Sequence, residues 1–99
     1  MITVEEVWPL APGVDAAIAM QAIEDVVGPI AHGHAGWCGH AMFLQQIDDP
    51  SHVIIIYPWR SVEAHEDLIE QEKLHLQGFY DKYCTGPRTL RYYTEIPHH

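Results

Sequence analysis

The stretch from His52 to Trp59 contains Val53-Ile54-Ile55-Ile56-Tyr57, which is apolar at odd and even positions alike. Successive side chains of a strand point to opposite faces. A strand apolar on both faces belongs in the middle of a sheet that is covered on both sides. Any fold for this chain must therefore supply two apolar layers, one on each side of that strand.

The rest of the chain supplies one of them. Ile2 to Trp8 reads as a strand, closed by Pro9 and Pro12-Gly13. Asp15 is a helix N-cap, followed by apolar residues at helical spacing from Ala16 through Ile30, with Gly28-Pro29 expected to end or kink the helix. After the short His32 to Gly36 loop, Trp37 to Ile47 reads as a long strand, with Trp37, Ala41 and Phe43 on one face and Cys38, His40 and Met42 on the other. Asp48-Asp49-Pro50-Ser51 is a turn by composition. Ser61 caps a second helix, carried on through Leu74, Leu76, Phe79 and Tyr83 with Gly78 as a weak point. Thr85-Gly86-Pro87 breaks it, and Arg88 to Ile96 alternates as a final strand.

This order is β-α-β-β-α-β, an α+β, ferredoxin-like arrangement: a four-stranded antiparallel sheet with both helices on one face. Residues 1–99 make a single domain, with no repeat and no linker. Two helices cover only one face, so the second apolar layer is expected to be the sheet of another copy, making a homodimer.

Charge narrows the partners. Fourteen acidic residues against five basic give a formal charge of -9, which repels phosphate backbones, so neither nucleic acid nor an anionic membrane is an expected partner. No apolar run approaches the ~20 residues of a membrane helix, and no basic, apolar leader opens the chain. Cys38 and Cys84 form no disulfide framework or zinc pattern and suit a reducing cytoplasm.

Several short segments carry a resemblance. Gly36-Trp37-Cys38-Gly39, Asp48-Asp49-Pro50, Tyr57-Pro58-Trp59, Ser61-Val62-Glu63-Ala64 and the helical run Glu72-Lys73-Leu74-His75 together resemble the antibiotic biosynthesis monooxygenase family of dimeric α/β-barrel proteins. The resemblance implies pairing into a dimeric α/β barrel around a small-molecule pocket. Some members of that family oxidise phenolic polyketide intermediates with molecular oxygen and no cofactor, some bind and cleave haem, and some have no assigned chemistry. Several use a pocket asparagine. This chain contains no asparagine, so neither mechanism carries over residue by residue.

His75 is the first candidate for chemistry, since an imidazole can take a phenol proton near neutral pH. Trp59 and Tyr57 share one strand face and could stack on an aromatic ligand. His40 is a candidate for holding a substrate oxygen, and Tyr92 or Tyr93, on opposite faces, could supply one more wall. For each, the bland alternative is a core or surface side chain. His32, His34, Cys38 and His40 invite a metal reading, but their spacing matches no standard zinc pattern. Arg60, Arg88 and Arg91 could clamp an anion, although a surface ion pair is the ordinary expectation for each. The terminal His98-His99 pair carries no weight here.

These readings lead to one expectation and two alternatives. The expectation is a cofactor-independent, monooxygenase-like enzyme acting with O2 on a small phenolic or polyketide-type aromatic, with His75 and Trp59 catalytic and His40, Tyr57 and Tyr92 binding substrate. The alternatives are a non-catalytic ligand-binding dimer and a haem-binding or haem-degrading relative, with His75 or His40 as axial ligand.

Overall fold

A computed structural model describes residues 1–98, so His99 lies outside the described residues. The elements run β1 (Ile2–Pro9), α1 (Ala16–His32), β2 (Met42–Gln45), β3 (His52–Trp59), α2 (Val62–Tyr83) and β4 (Thr89–Tyr93). They form one antiparallel sheet in the order β2-β3-β1-β4. The architecture is the expected ferredoxin-like α+β fold, with β3 in the sheet interior.

Both expected caps are present. The Asp15 carboxylate accepts the Ile18 N–H at 3.0 Å, and the Ser61 hydroxyl accepts the Ala64 N–H at 3.1 Å. α1 runs past Gly28-Pro29 for a further turn. Proline removes one donor from the ladder, but Pro29 is exposed and its own carbonyl still accepts the Gly33 N–H at 3.1 Å. α2 likewise continues through Gly78, which is exposed with nothing packed against it.

Two strands are shorter than their sequence pattern. β2 spans four residues instead of the eleven from Trp37 to Ile47, because the backbone before it folds against the end of β3. The Gly36 N–H turns back to Nδ1 of His34, the Arg60 N–H bonds the Gly36 carbonyl, and an isolated Trp37–Trp59 bridge is all that continues the ladder. β4 ends at Tyr93 instead of Ile96, because Tyr93 pairs with Thr3 and β1 offers only Ile2 beyond it.

The register sorts side chains between the two faces. Val4, Glu6 and Trp8 of β1 align with Tyr57, Ile55 and Val53 of β3, and Val4 and Glu6 also align with Tyr92 and Leu90 of β4. This is the inner face, packed on Ala19, Met20 and Ile23 of α1 and on Leu68, Leu76 and Phe79 of α2. Trp8 meets Phe79 edge-on at 5.3 Å between ring centroids. The outer face holds Val7, Ile54, Ile56 and Pro58, only half-buried, beside the exposed Met42 and Leu44. No helix among the described residues is long and apolar enough to cross a membrane.

Candidate active site

Three elements place polar groups in an otherwise apolar interior. β1 alternates Val4, Glu6 and Trp8 toward the helices, so strand geometry alone delivers the Glu6 carboxylate to the core. α2 buries His65, Leu68, Glu72, Leu76 and Phe79, a helical stripe with two polar members. Arg88 enters from the segment before β4. Exposure falls to 4% for Glu6, 0% for His65, 2% for Glu72 and 9% for Arg88.

Such groups must satisfy one another. Nη2 of Arg88 donates to Oε1 of Glu72 at 2.7 Å, and its Nη1 lies 3.1 Å from Oε2 of Glu6. The guanidinium also stacks on the Trp8 ring, 5.1 Å from its centroid, while the Trp8 indole N–H donates to Oε1 of Glu6 at 3.1 Å. The Tyr57 hydroxyl donates to Oε2 of Glu6 and lies 2.5 Å from Nε2 of His65, whose Nδ1 lies 2.9 Å from the Tyr92 hydroxyl.

The electrostatics follow from burial. Burial raises the Glu72 carboxyl above its usual range, and Arg88 only partly offsets this. Burial, then the charges of Arg88 and His34, lowers His65 to about 4, so its imidazole is neutral near pH 7. Burial, reinforced by Glu6, raises the Tyr57 phenol far above its ordinary value. Burial would lower Arg88, but Glu6 and Glu72 outweigh it and hold the guanidinium protonated.

A cavity of about 210 Å³ opens beside this network. Glu6, Glu72 and Tyr57 form its inner polar part, Ile23, Val27, Ile55 and Trp59 its apolar walls, Glu24 also lines it, and His32, Trp37, His40 and Phe43 lie toward the outside. It is smaller than the roughly 300–1,000 Å³ usual for drug-sized ligands, and suits a compact molecule. The loop beside it is strapped to α2 by His34, whose Nδ1 accepts the Gly36 N–H while Nε2 lies 2.7 Å from Asp67.

The structure brings Trp59, Tyr57 and His40 to one cavity and ties Tyr92 to it through His65. It does not bring His75 there. His75 sits on the exposed side of α2 and does not line the cavity, because the helical stripe that faces the sheet passes through Glu72 and Leu76 instead. Arg88 is no surface ion pair but the centre of a buried one, whereas Arg60 and Arg91 are exposed. His32 packs on Trp37 at 4.4 Å and His34 is held by Asp67, and among the described residues no three His, Cys, Asp or Glu side chains gather to hold a metal.

Glu6, His65 and Glu72 were not singled out for chemistry from the sequence, and Arg88 was expected only as an anion clamp or a surface ion pair. The signal was present: Glu6 falls between Val4 and Trp8 on the inward parity of β1, and His65 and Glu72 share the 3–4 residue spacing of Leu68 and Leu76.

Neither a protein-family model nor a curated protein sequence matches the chain. Solved structures do. An antibiotic biosynthesis monooxygenase crystal structure is similar with a TM-score of 0.72 at 15% identity, covering 98% of this chain and 100% of that one. SnoaB from Streptomyces nogalater, a cofactor-independent oxygenase, is similar with a TM-score of 0.72 at 12% identity, covering 98% of this chain and 94% of that one. A conserved protein from Methanosarcina mazei is similar with a TM-score of 0.71 at 11% identity, over 96% and 92% of the two chains. The fold is therefore the one found in antibiotic biosynthesis monooxygenase structures. At these identities the likeness establishes the fold alone.

Proposed function

We propose that this chain is a small cofactor-independent oxygenase of phenolic or polyketide-type aromatic compounds, working as a homodimer in a reducing cytoplasm. The observation that carries the reading is the pair of buried carboxylates, Glu6 and Glu72, at the polar end of a compact cavity walled by aromatic and aliphatic side chains. A carboxylate whose pKa is raised by burial is a competent base for a phenol or for the acidic C–H of an anthrone. Glu72 removes that proton, and the electron pair stays on the ring system. The resulting anion is electron-rich enough to react with O2. One oxygen atom enters the ring carbon as a carbonyl, and the other leaves as water with two hydrogens, both from that carbon in an anthrone, one from it and one from the hydroxyl in a phenol.

Trp59 and Tyr57 give the aromatic substrate its walls, and His40 stands toward the entrance. His75 has no part in this scheme. The size of the cavity favours compounds of few rings, and its three lining carboxylates, Glu6, Glu24 and Glu72, disfavour anionic ones. The half-buried outer face of Val7, Ile54, Ile56 and Pro58, with Met42 and Leu44 exposed beside it, supports pairing with a second copy. Both cysteines are free, in keeping with a reducing compartment.

The test is oxygen uptake with a simple anthrone and with a phenol unsubstituted opposite its hydroxyl. The wild-type chain consumes oxygen and forms the quinone, and Glu72→Gln loses on the order of 10²-fold or more in turnover. Binding without product would favour the second reading, a ligand-binding dimer with no chemistry. The observation on that side is that Arg88 already pairs with both carboxylates, as a purely structural triad would. A haem ligand finds little support in a cavity this small with carboxylates at its polar end, and a haem titration without a Soret shift is expected.

A further inference from the structure

Four side chains form an unbroken hydrogen-bonded row from a half-buried position on β4 to the cavity. Tyr92, His65, Tyr57 and Glu6 follow one another, with 2.9 Å between the Tyr92 hydroxyl and Nδ1 of His65 and 2.5 Å between Nε2 and the Tyr57 oxygen. Each comes from a different element: β4, α2, β3 and β1. Only the last two reach the cavity.

The row has one consistent polarity. Glu6 faces the Arg88 guanidinium and accepts the Trp8 indole N–H, and the Tyr57 O–H donates to it as well. The Tyr57 oxygen then accepts from His65, which places the imidazole hydrogen on Nε2. Nδ1 is left with its lone pair and accepts the Tyr92 O–H. Every donor points inward, and a single imidazole tautomer satisfies the row.

We propose that Tyr92, His65 and Tyr57 form a proton path that loads and unloads Glu6 from the protein surface. In one shift, a hydronium at the surface gives a proton to the Tyr92 oxygen and is left as water, while the Tyr92 proton moves to Nδ1 of His65. The Nε2 proton moves to the Tyr57 oxygen, and the Tyr57 proton moves to Oε2 of Glu6. Tyr92, His65 and Tyr57 each gain and lose one proton, so the net change is one proton on Glu6 and the imidazole in its other tautomer. The reverse shift returns that proton to the surface. Burial, Arg88 and His34 disfavour an imidazolium at His65, and burial beside Glu6 disfavours a phenolate at Tyr57, so the shift is concerted and leaves no charge on either.

Only the use of the path rests on the oxygenase reading, in which protons leave the substrate and join the departing oxygen beside Glu6. The path itself is tested without turnover, by ¹⁵N and ¹H spectroscopy of the histidine-labelled full chain. His65 is expected as the Nε2–H tautomer at pH 7. Tyr92→Phe keeps the ring and removes the outer hydroxyl, and it is expected to slow exchange of the Nε2 hydrogen with solvent at least 10-fold. A merely structural row predicts an unchanged or faster exchange, because removing a hydroxyl only loosens the site. Either of those rates overturns the path. An Nδ1–H tautomer in the wild-type chain overturns its polarity, and that reading stands even if the variant does not fold. Oxygen uptake absent while these signatures are intact would sink the proposed reaction and leave the path standing.

Discussion

A β-carbon placed on Gly36 would stand 2.2 Å from Nε1 of Trp59, so the loop backbone lies directly against the indole that forms one wall of the cavity. Only a residue without a side chain permits that approach, and the approach sets the start of β2 and the position of the wall together. Gly36→Ala must push either the loop or the indole aside. The expected cost is about 1–3 kcal/mol of stability, read as a lowered urea midpoint, together with altered tryptophan fluorescence. An unchanged midpoint and spectrum would mean that the indole has room to move.

Arg88 is the cation that pairs with both Glu6 and Glu72 among the described residues, so Arg88→Met strands both in the interior. Breaking a buried ionic cluster by removing one partner costs about 3–5 kcal/mol. Protonation relieves stranded carboxylates, so the deficit relative to wild type is expected to shrink as pH falls from 7 toward 5. Urea denaturation at the two pH values measures this. A deficit that is the same at both would show that Glu6 and Glu72 are not the source of the loss.

His65 makes stability depend on pH in the opposite direction. Its pKa falls from 6.5 in the unfolded chain to about 4 in the folded one, so between those values the unfolded state binds the extra proton. Stability is then full above pH 6.5 and declines as pH falls to about 4, by up to about 3 kcal/mol from this group. The raised pKa of Glu72 works against that decline, so the comparison of interest is wild type with His65→Gln. The variant is expected to be less stable at pH 7 and to lose less on acidification. Parallel pH profiles would mean that His65 titrates as freely when folded as when unfolded.

His75 offers the reciprocal check. Exposed on α2 and remote from the cavity lining, it is expected to tolerate His75→Ala with less than about 0.5 kcal/mol change in stability. Oxygen uptake with the same anthrone should also be unaffected. A large loss of uptake in that variant would show that the base acts from outside this cavity.

How much of this was legible in the sequence depended on the kind of pattern involved. Alternation and 3–4 residue spacing describe local geometry, so β1, β3, both helices and the caps at Asp15 and Ser61 could be read directly. The strand beginning at Trp37 was overextended because its end is decided by the bulk of Trp59, more than twenty positions away. The polar network was missed for a related reason. Glu6 and Glu72 are of a residue type common throughout this acidic chain, and their importance lies in being charged at inward positions. Their common partner, Arg88, is 82 residues from one and 16 from the other, and no local pattern joins the three.

Tyr92 sits on β4, the outermost strand on its side of the sheet, which pairs only with β1 and only over five residues. Rim strands of this kind open at far lower energy than the sheet interior. The link between His65 and the solvent is thus anchored to a part of the molecule that frays early, while Glu6, Tyr57 and the cavity are anchored to parts that fray late. Warming, or a contact that peels the rim, would cut Glu6 off from this route to bulk protons well before the domain melts.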